Sequence, residues 1–116
     1  MTISVIGKKK QVKKSFEELL TDLRTSTSEK VRYNAARVLG EMGDSAAVEP
    51  LIDVLRNDKN GSVRLYAARA LGELGDSKAT EFLIESLRED RNVDVRVRAA
   101  RALGRLGGKI VVEPLV

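Results

Sequence analysis

The chain of 116 residues has no cysteine and no histidine. That excludes thiol catalysis, Ser-His-type triads, zinc sites of the Cys/His kind and any disulfide. Tryptophan is absent too, and the aromatics are Phe16, Tyr33, Tyr66 and Phe82. Any core must therefore be built from Leu, Val, Ile and Ala. No apolar run approaches the roughly 20 residues that span a bilayer, so no membrane span is expected. The stretch Ile3-Ser4-Val5-Ile6 is too short for a signal peptide and precedes the lysines instead of following them. Gly-rich phosphate loops of the G-x-G-x-x-G or Walker type are missing, which leaves nucleotide use unsupported. A cytoplasmic location is expected.

What is present is 42% hydrophobic and 33% charged residues, with 21 Lys+Arg against 17 Asp+Glu. Such a mixture is that of one soluble domain, not of a disordered chain. The informative feature is internal repetition. Val31-Arg32-Tyr33-Asn34-Ala35-Ala36-Arg37-Val38-Leu39-Gly40 returns as Val63-Arg64-Leu65-Tyr66-Ala67-Ala68-Arg69-Ala70-Leu71-Gly72. It returns again as Val95-Arg96-Val97-Arg98-Ala99-Ala100-Arg101-Ala102-Leu103-Gly104. The offset is 63 − 31 = 95 − 63 = 32. A second segment keeps the same period: Glu17-Glu18-Leu19-Leu20, Glu49-Pro50-Leu51-Ile52, Glu81-Phe82-Leu83-Ile84 and Glu113-Pro114-Leu115-Val116. The chain thus holds about three and a half units of two segments each.

Both segments read as helices. In the first (A), Val31, Ala35, Val38, Leu39 and Met42 share one face at 3.6-residue spacing. In the second (B), Val48, Leu51, Ile52 and Leu55 do the same. Gly43, Gly75 and Gly107 stand where a residue of positive φ would end helix A. Asp44 and Asp76 follow as caps for helix B, and Pro50 is tolerable only in its first turn. Helices are expected near 9–25, 29–42, 46–57, 61–74, 78–89 and 93–106. Neither helix of a unit can bury its apolar face alone, so the units must stack. Gly40, Gly72 and Gly104 lie inside helix A at a cost of roughly 1 kcal/mol each relative to Ala. Their recurrence beside Ala pairs points to close helix approach.

The pattern V-R-x-x-A-A-R-x-L-G-x-x-G-D, followed by A-V-E-P-L-I, resembles the HEAT-repeat class in its short phycobilisome-lyase-type form. The resemblance covers roughly residues 15–116. It implies an all-α fold, an α-α superhelix with A helices outside and B helices lining a concave face. Most domains of this kind look like protein-interaction scaffolds; some act in bilin attachment, and a divergent branch contains DNA glycosylases. Residues 1–116 then form a single domain, with 1–14 a basic N-terminal tail leading into the repeats.

Two ends depart from the pattern. The first unit lacks a helix A, and Val12, Phe16, Leu19, Leu20 and Leu23 instead suggest one longer amphipathic helix behind Lys8, Lys9, Lys10, Lys13 and Lys14. The last unit stops at Val116, and Gly108 replaces the capping Asp. Its helix A is expected to present Ala99, Ala102, Leu103 and Leu106 to an incomplete core. A homodimer through residues 99–116 would cover them.

The charged residues sort by repeat position. Arg32, Arg64 and Arg96 open the A helices, where they either bond B-helix carbonyls and reach Asp58 and Asp90 or form an anion-binding ladder. Arg37 with Glu41 and Arg69 with Glu73 are i,i+4 pairs. In the last unit this becomes Arg101 and Arg105, joined by Arg98, which is either a solvated face or a phosphate-binding patch. The lysine run is either a solubilising tail or a polyanion contact. On the B segments, Glu49, Asp53, Glu81 and Glu85 outnumber Arg56 and Arg88. Carboxylates can do acid/base work or hold a cation, but these are spread by repeat geometry, and no second chemical group accompanies them. The function expected is a non-enzymatic scaffold, without metal or cofactor, that binds another protein on this acidic concave face. The alternative is nucleic acid or anionic lipid bound through the lysines and the Arg98, Arg101 and Arg105 cluster. Tyr33 and Tyr66 count as contacts only if they project outward.

Overall fold

The computed structural model describes residues 13–107. Six α-helices follow one another: α1 Phe16–Thr25, α2 Glu29–Met42, α3 Val48–Asn57, α4 Gly61–Leu74, α5 Thr80–Glu89 and α6 Val93–Leu106. Short 3-10 turns, Ser45–Ala47 and Ser77–Ala79, lead into α3 and α5. No strand occurs among the described residues. The A helices α2, α4 and α6 form one layer, each packed closely on the next. The B helices α1, α3 and α5 form the second, each resting on the A helix that follows it. One apolar core runs between the layers, from Leu19 and Leu23 through Leu39, Leu51, Leu55 and Leu71 to Leu83 and Leu103. The fold is an α-α solenoid.

Local chemistry sets the helix ends. Gly43 and Gly75 close α2 and α4 in the left-handed conformation, at φ 74° and 68°, where a Cβ would be strained. Asp44 and Asp76 cap the 3-10 turns, not the α-helices, their carboxylates accepting from the N–H groups of Ala46 and Lys78. The long first helix expected from residue 9 does not form across residues 13–15. Ser15 is an N-cap, its hydroxyl accepting from Glu18 N–H while Glu18 accepts from Ser15 N–H. This capping box starts the helix at Phe16 and outweighs the apolar spacing that Val12 suggested; Val12 itself lies outside the described residues.

Glycine decides how close the A layer packs. A Cβ built on Gly40 would lie 2.7 Å from the Ala70 Cβ and 2.8 Å from its Cα. One on Gly72 would lie 2.9 Å from both atoms of Ala102. At Gly104, nothing among the described residues stands within 4 Å.

The two ends of the A layer expose other residues than the pattern suggested. Met42, expected on the buried stripe, is 46% exposed; among the described residues no A helix precedes α2. It lines an open groove of about 680 Å³ with Leu19, Val31, Ala35 and Val38. At the far end Ala99, Ala102 and Leu103 are already buried. The uncovered residues are Val93, Val97, Ala100 and Gly104 instead, one helix face round from those expected. Residues 108–116, and with them most of the expected dimer surface, lie outside the described residues.

Leu71 is fully buried in the middle unit, and Leu71→Ala should cost roughly 2–5 kcal/mol in denaturant unfolding. Gly72→Ala should cost about 1–3 kcal/mol by overpacking. Gly104→Ala should instead stabilise by about 0.5–1 kcal/mol, the helix-propensity gain alone.

Candidate functional site

Three sets of charged residues lie within the described fold, and burial separates them. The first is internal. Arg32 donates through Nε and Nη2 to the Asp58 carboxylate at 2.9 and 3.1 Å, and through Nη1 to the Ser26 carbonyl at 2.9 Å. Arg64 repeats this with Asp90 at 2.8 and 3.1 Å and the Asp58 carbonyl at 2.9 Å. Side-chain exposure in both pairs is 8% or less. Each guanidinium is buried against a carboxylate and a backbone carbonyl, so these arginines are structural and form no anion-binding ladder. Among the described residues Arg96 keeps only the carbonyl half of the arrangement, donating to Asp90 O at 2.6 Å. Burial alone would raise the Asp90 carboxyl. Hydrogen bonds from Arg64 and the Asn92 N–H, with the charges of Arg64 and Arg91, outweigh it and hold the group below its ordinary 3.8.

The second set is the exposed side of the B helices. Glu49, Asp53 and Arg56 stand on α3, and Glu81, Glu85 and Arg88 on α5; all six are exposed. Arg56 crosses from α3 to Glu85 at 3.2 Å and lies 5.1 Å over the Phe82 ring. Asp53 accepts from Asn57 Nδ2 at 2.9 Å, a bond along its own helix. The face therefore stays acidic, with one arginine–aromatic stack near its middle. Phe82 was not legible as part of it, since Pro50 and Glu18 hold its position in the earlier units.

The third set is a groove of about 240 Å³ between α4 and α6, lined by Arg98, Arg101, Arg105 and also Arg69. Arg69 stood in the sequence as half of an i,i+4 pair, which it does make, with Glu73 at 3.3 Å; the Arg37–Glu41 pair forms too, at 3.1 Å. The signal that could have found it is its place one period before Arg101. Lys13 and Lys14, the described lysines of the run, are not gathered with these arginines. Lys8, Lys9 and Lys10 lie outside the described residues, Lys13 is exposed, and Lys14 folds back onto Asp22 of α1 at 2.6 Å.

Tyr33 and Tyr66 are half-buried and stack on each other, with ring centroids 5.2 Å apart and planes at 18°. Their faces join α2 to α4. Among the described residues no group of His, Cys, Asp and Glu could hold a metal ion, and no helix is long and apolar enough to cross a membrane.

Removal of Asp90 would leave Arg64 buried and unpaired, so Asp90→Ala should cost roughly 3–5 kcal/mol. Because the folded carboxyl titrates below its unfolded value, its stabilisation is complete above that value and is lost as pH falls through the lower, folded one. Acid unfolding followed by circular dichroism should show this loss below about pH 4 in the wild type and not in the variant.

Comparison with known proteins agrees with this geometry. The family model for HEAT repeats matches residues 16–104, and that for the PBS lyase HEAT-like repeat matches residues 95–116. No curated protein sequence matches the chain. Among solved structures, the complex of CpcE and CpcF of phycocyanin lyase from Nostoc sp. PCC7120 is similar, at 34% identity and a TM-score of 0.76. The match covers 85% of this chain but only 40% of that one. A repeated helical hairpin stacked on itself, matched by the HEAT-repeat model over most of its described length, places the chain in the HEAT-repeat family.

Proposed function

We propose that this chain is a protein-binding scaffold whose B-helix face takes a basic or mixed surface of a partner protein. The observation that supports this best is the exposed set on α3 and α5. Four carboxylates, Glu49, Asp53, Glu81 and Glu85, stand against two arginines on a face presented by rigid helices. Arg56 stacked on Phe82 adds the arginine–aromatic chemistry common at interface centres. Charge on the rim of such a face steers encounter and selects partners more than it sets affinity.

The similar solved structure is a two-protein complex of a lyase. In this reading the chain resembles such a subunit in offering a surface, and it supplies binding to an assembly, not the reacting groups. The partner is a protein in the cytoplasm.

A second reading rests on the four arginines of the α4–α6 groove. They would hold phosphates of a nucleic acid or an anionic lipid, with the N-terminal lysines as further contacts.

Reversal of Glu49, Asp53 and Glu85 to Lys should abolish capture of the natural partner and leave the helical circular dichroism signal unchanged. Unchanged capture would move the binding surface elsewhere. A salt titration separates the two readings: binding through arginine–phosphate contacts should weaken by close to one log unit per contact per decade of salt. A shallower dependence, lost with the Glu49, Asp53 and Glu85 reversals, supports the protein-binding face.

A further inference from the structure

The far face of α6 carries two half-built contacts whose completed forms occur twice inside the molecule. In the interior, Gly40 receives Ala70 and Gly72 receives Ala102, the same interval along the chain in both cases. Arg32 receives Asp58 and Arg64 receives Asp90, again at one shared interval. The element that docks on an A helix therefore carries an Asp and, at a fixed distance further on, an Ala. On α6 the receiving positions are Arg96 and Gly104. Arg96 holds only the Asp90 carbonyl, and no carboxylate pairs with it among the described residues. Gly104 faces no neighbour within 4 Å among the described residues. The apolar residues between them agree: Ala36 and Ala68 are fully buried where Ala100 is exposed, and Val97 is 48% exposed.

We propose that this face binds an N-capped α-helix of another protein that carries the D-x-N-x9-A pattern, its Asp paired with Arg96 and its Ala seated on Gly104. The pattern is that of Asp58-Lys59-Asn60 leading to Ala70 and of Asp90-Arg91-Asn92 leading to Ala102. In both, the Asp also accepts the Asn N–H, at 2.9 Å, and the Asn side chain caps the helix. The incoming segment thus brings its carboxylate already aimed.

The occupant is not the N-terminal end of a second copy. At that end the positions one period before Asp58 and Ala70 are Ser26 and Val38. Ser26 offers no carboxylate to Arg96. Val38 brings two extra methyl groups to a contact in which even a Cβ on the glycine would lie within 3 Å of the Ala. Both mismatches fall on the two positions that define the docking register, so they oppose head-to-tail stacking, the arrangement that grows into fibres. This surface is separate from the B-helix face, and either can fail without the other.

The test uses the full chain and a synthetic peptide of residues 58–74, followed by amide chemical shifts during titration. Saturable binding is expected, with shifts at Val97, Ala100 and Gly104. Arg96→Ala should weaken it at least tenfold. An Asp58→Asn peptide should bind the wild-type chain at least tenfold more weakly yet lose little further against the Arg96→Ala chain, which identifies the pair. Gly104→Leu should abolish binding while the chain unfolds at the same or higher temperature, because the change raises helix propensity in open space. Absence of saturable shifts up to millimolar peptide, or binding indifferent to both substitutions, overturns the proposal. So does self-association of the wild-type chain in sedimentation that Gly104→Leu removes, which would make a second copy the occupant.

Discussion

Successive A helices lie so close that at Gly40 and Gly72 no room remains for a single methyl group. With so few aromatics in the chain, small residues set the spacing between units, and Leu and Val fill the space between layers. Ala36, Ala67, Ala68, Ala70 and Ala102 are all essentially inaccessible. Packing of this kind leaves little tolerance for volume change, so the relative position of neighbouring units is held tightly. The B helices, which touch each other much less, take their places from the A helices they rest on.

That spacing makes the buried ion pairs possible. Arg32 and Arg64 each join the carbonyl end of one B helix to the carboxylate at the end of the next. An ion pair in the interior often breaks even against apolar packing, because desolvation costs about as much as attraction returns. What these pairs supply is register. A unit shifted along its neighbour would leave a guanidinium buried without its carboxylate. The charges consumed in this way are unavailable for binding.

The same contacts give the molecule a direction. At one end Val38 and Ser26 close off the positions through which a preceding unit would engage. At the other, Arg96 and Gly104 keep theirs. The two ends of the described stack therefore differ in the contacts they offer.

Much of this was legible before any coordinates. The repeat period placed the helices to within a few residues, the recurrent Gly marked the close approach, and Arg32 and Arg64 sat at the spacing their partners require. Those features are local or strictly repeated, and a helix of 3.6 residues per turn converts spacing into facing directly. The start of α1 was also present locally, in Ser15 and Glu18, although the apolar run before it suggested a longer helix. What only tertiary structure decided depends on which neighbour stands beside each helix. Met42 belongs to the apolar stripe but is exposed, with no A helix before α2 among the described residues, and Ala100 is exposed while its counterparts Ala36 and Ala68 are buried. Arg69 joins Arg98, Arg101 and Arg105, and Tyr33 meets Tyr66, across gaps set by the rotation between units. A single-sequence pattern records which face of a helix is apolar, but the lateral packing angle that brings side chains of successive repeats into contact is settled only when the units stack.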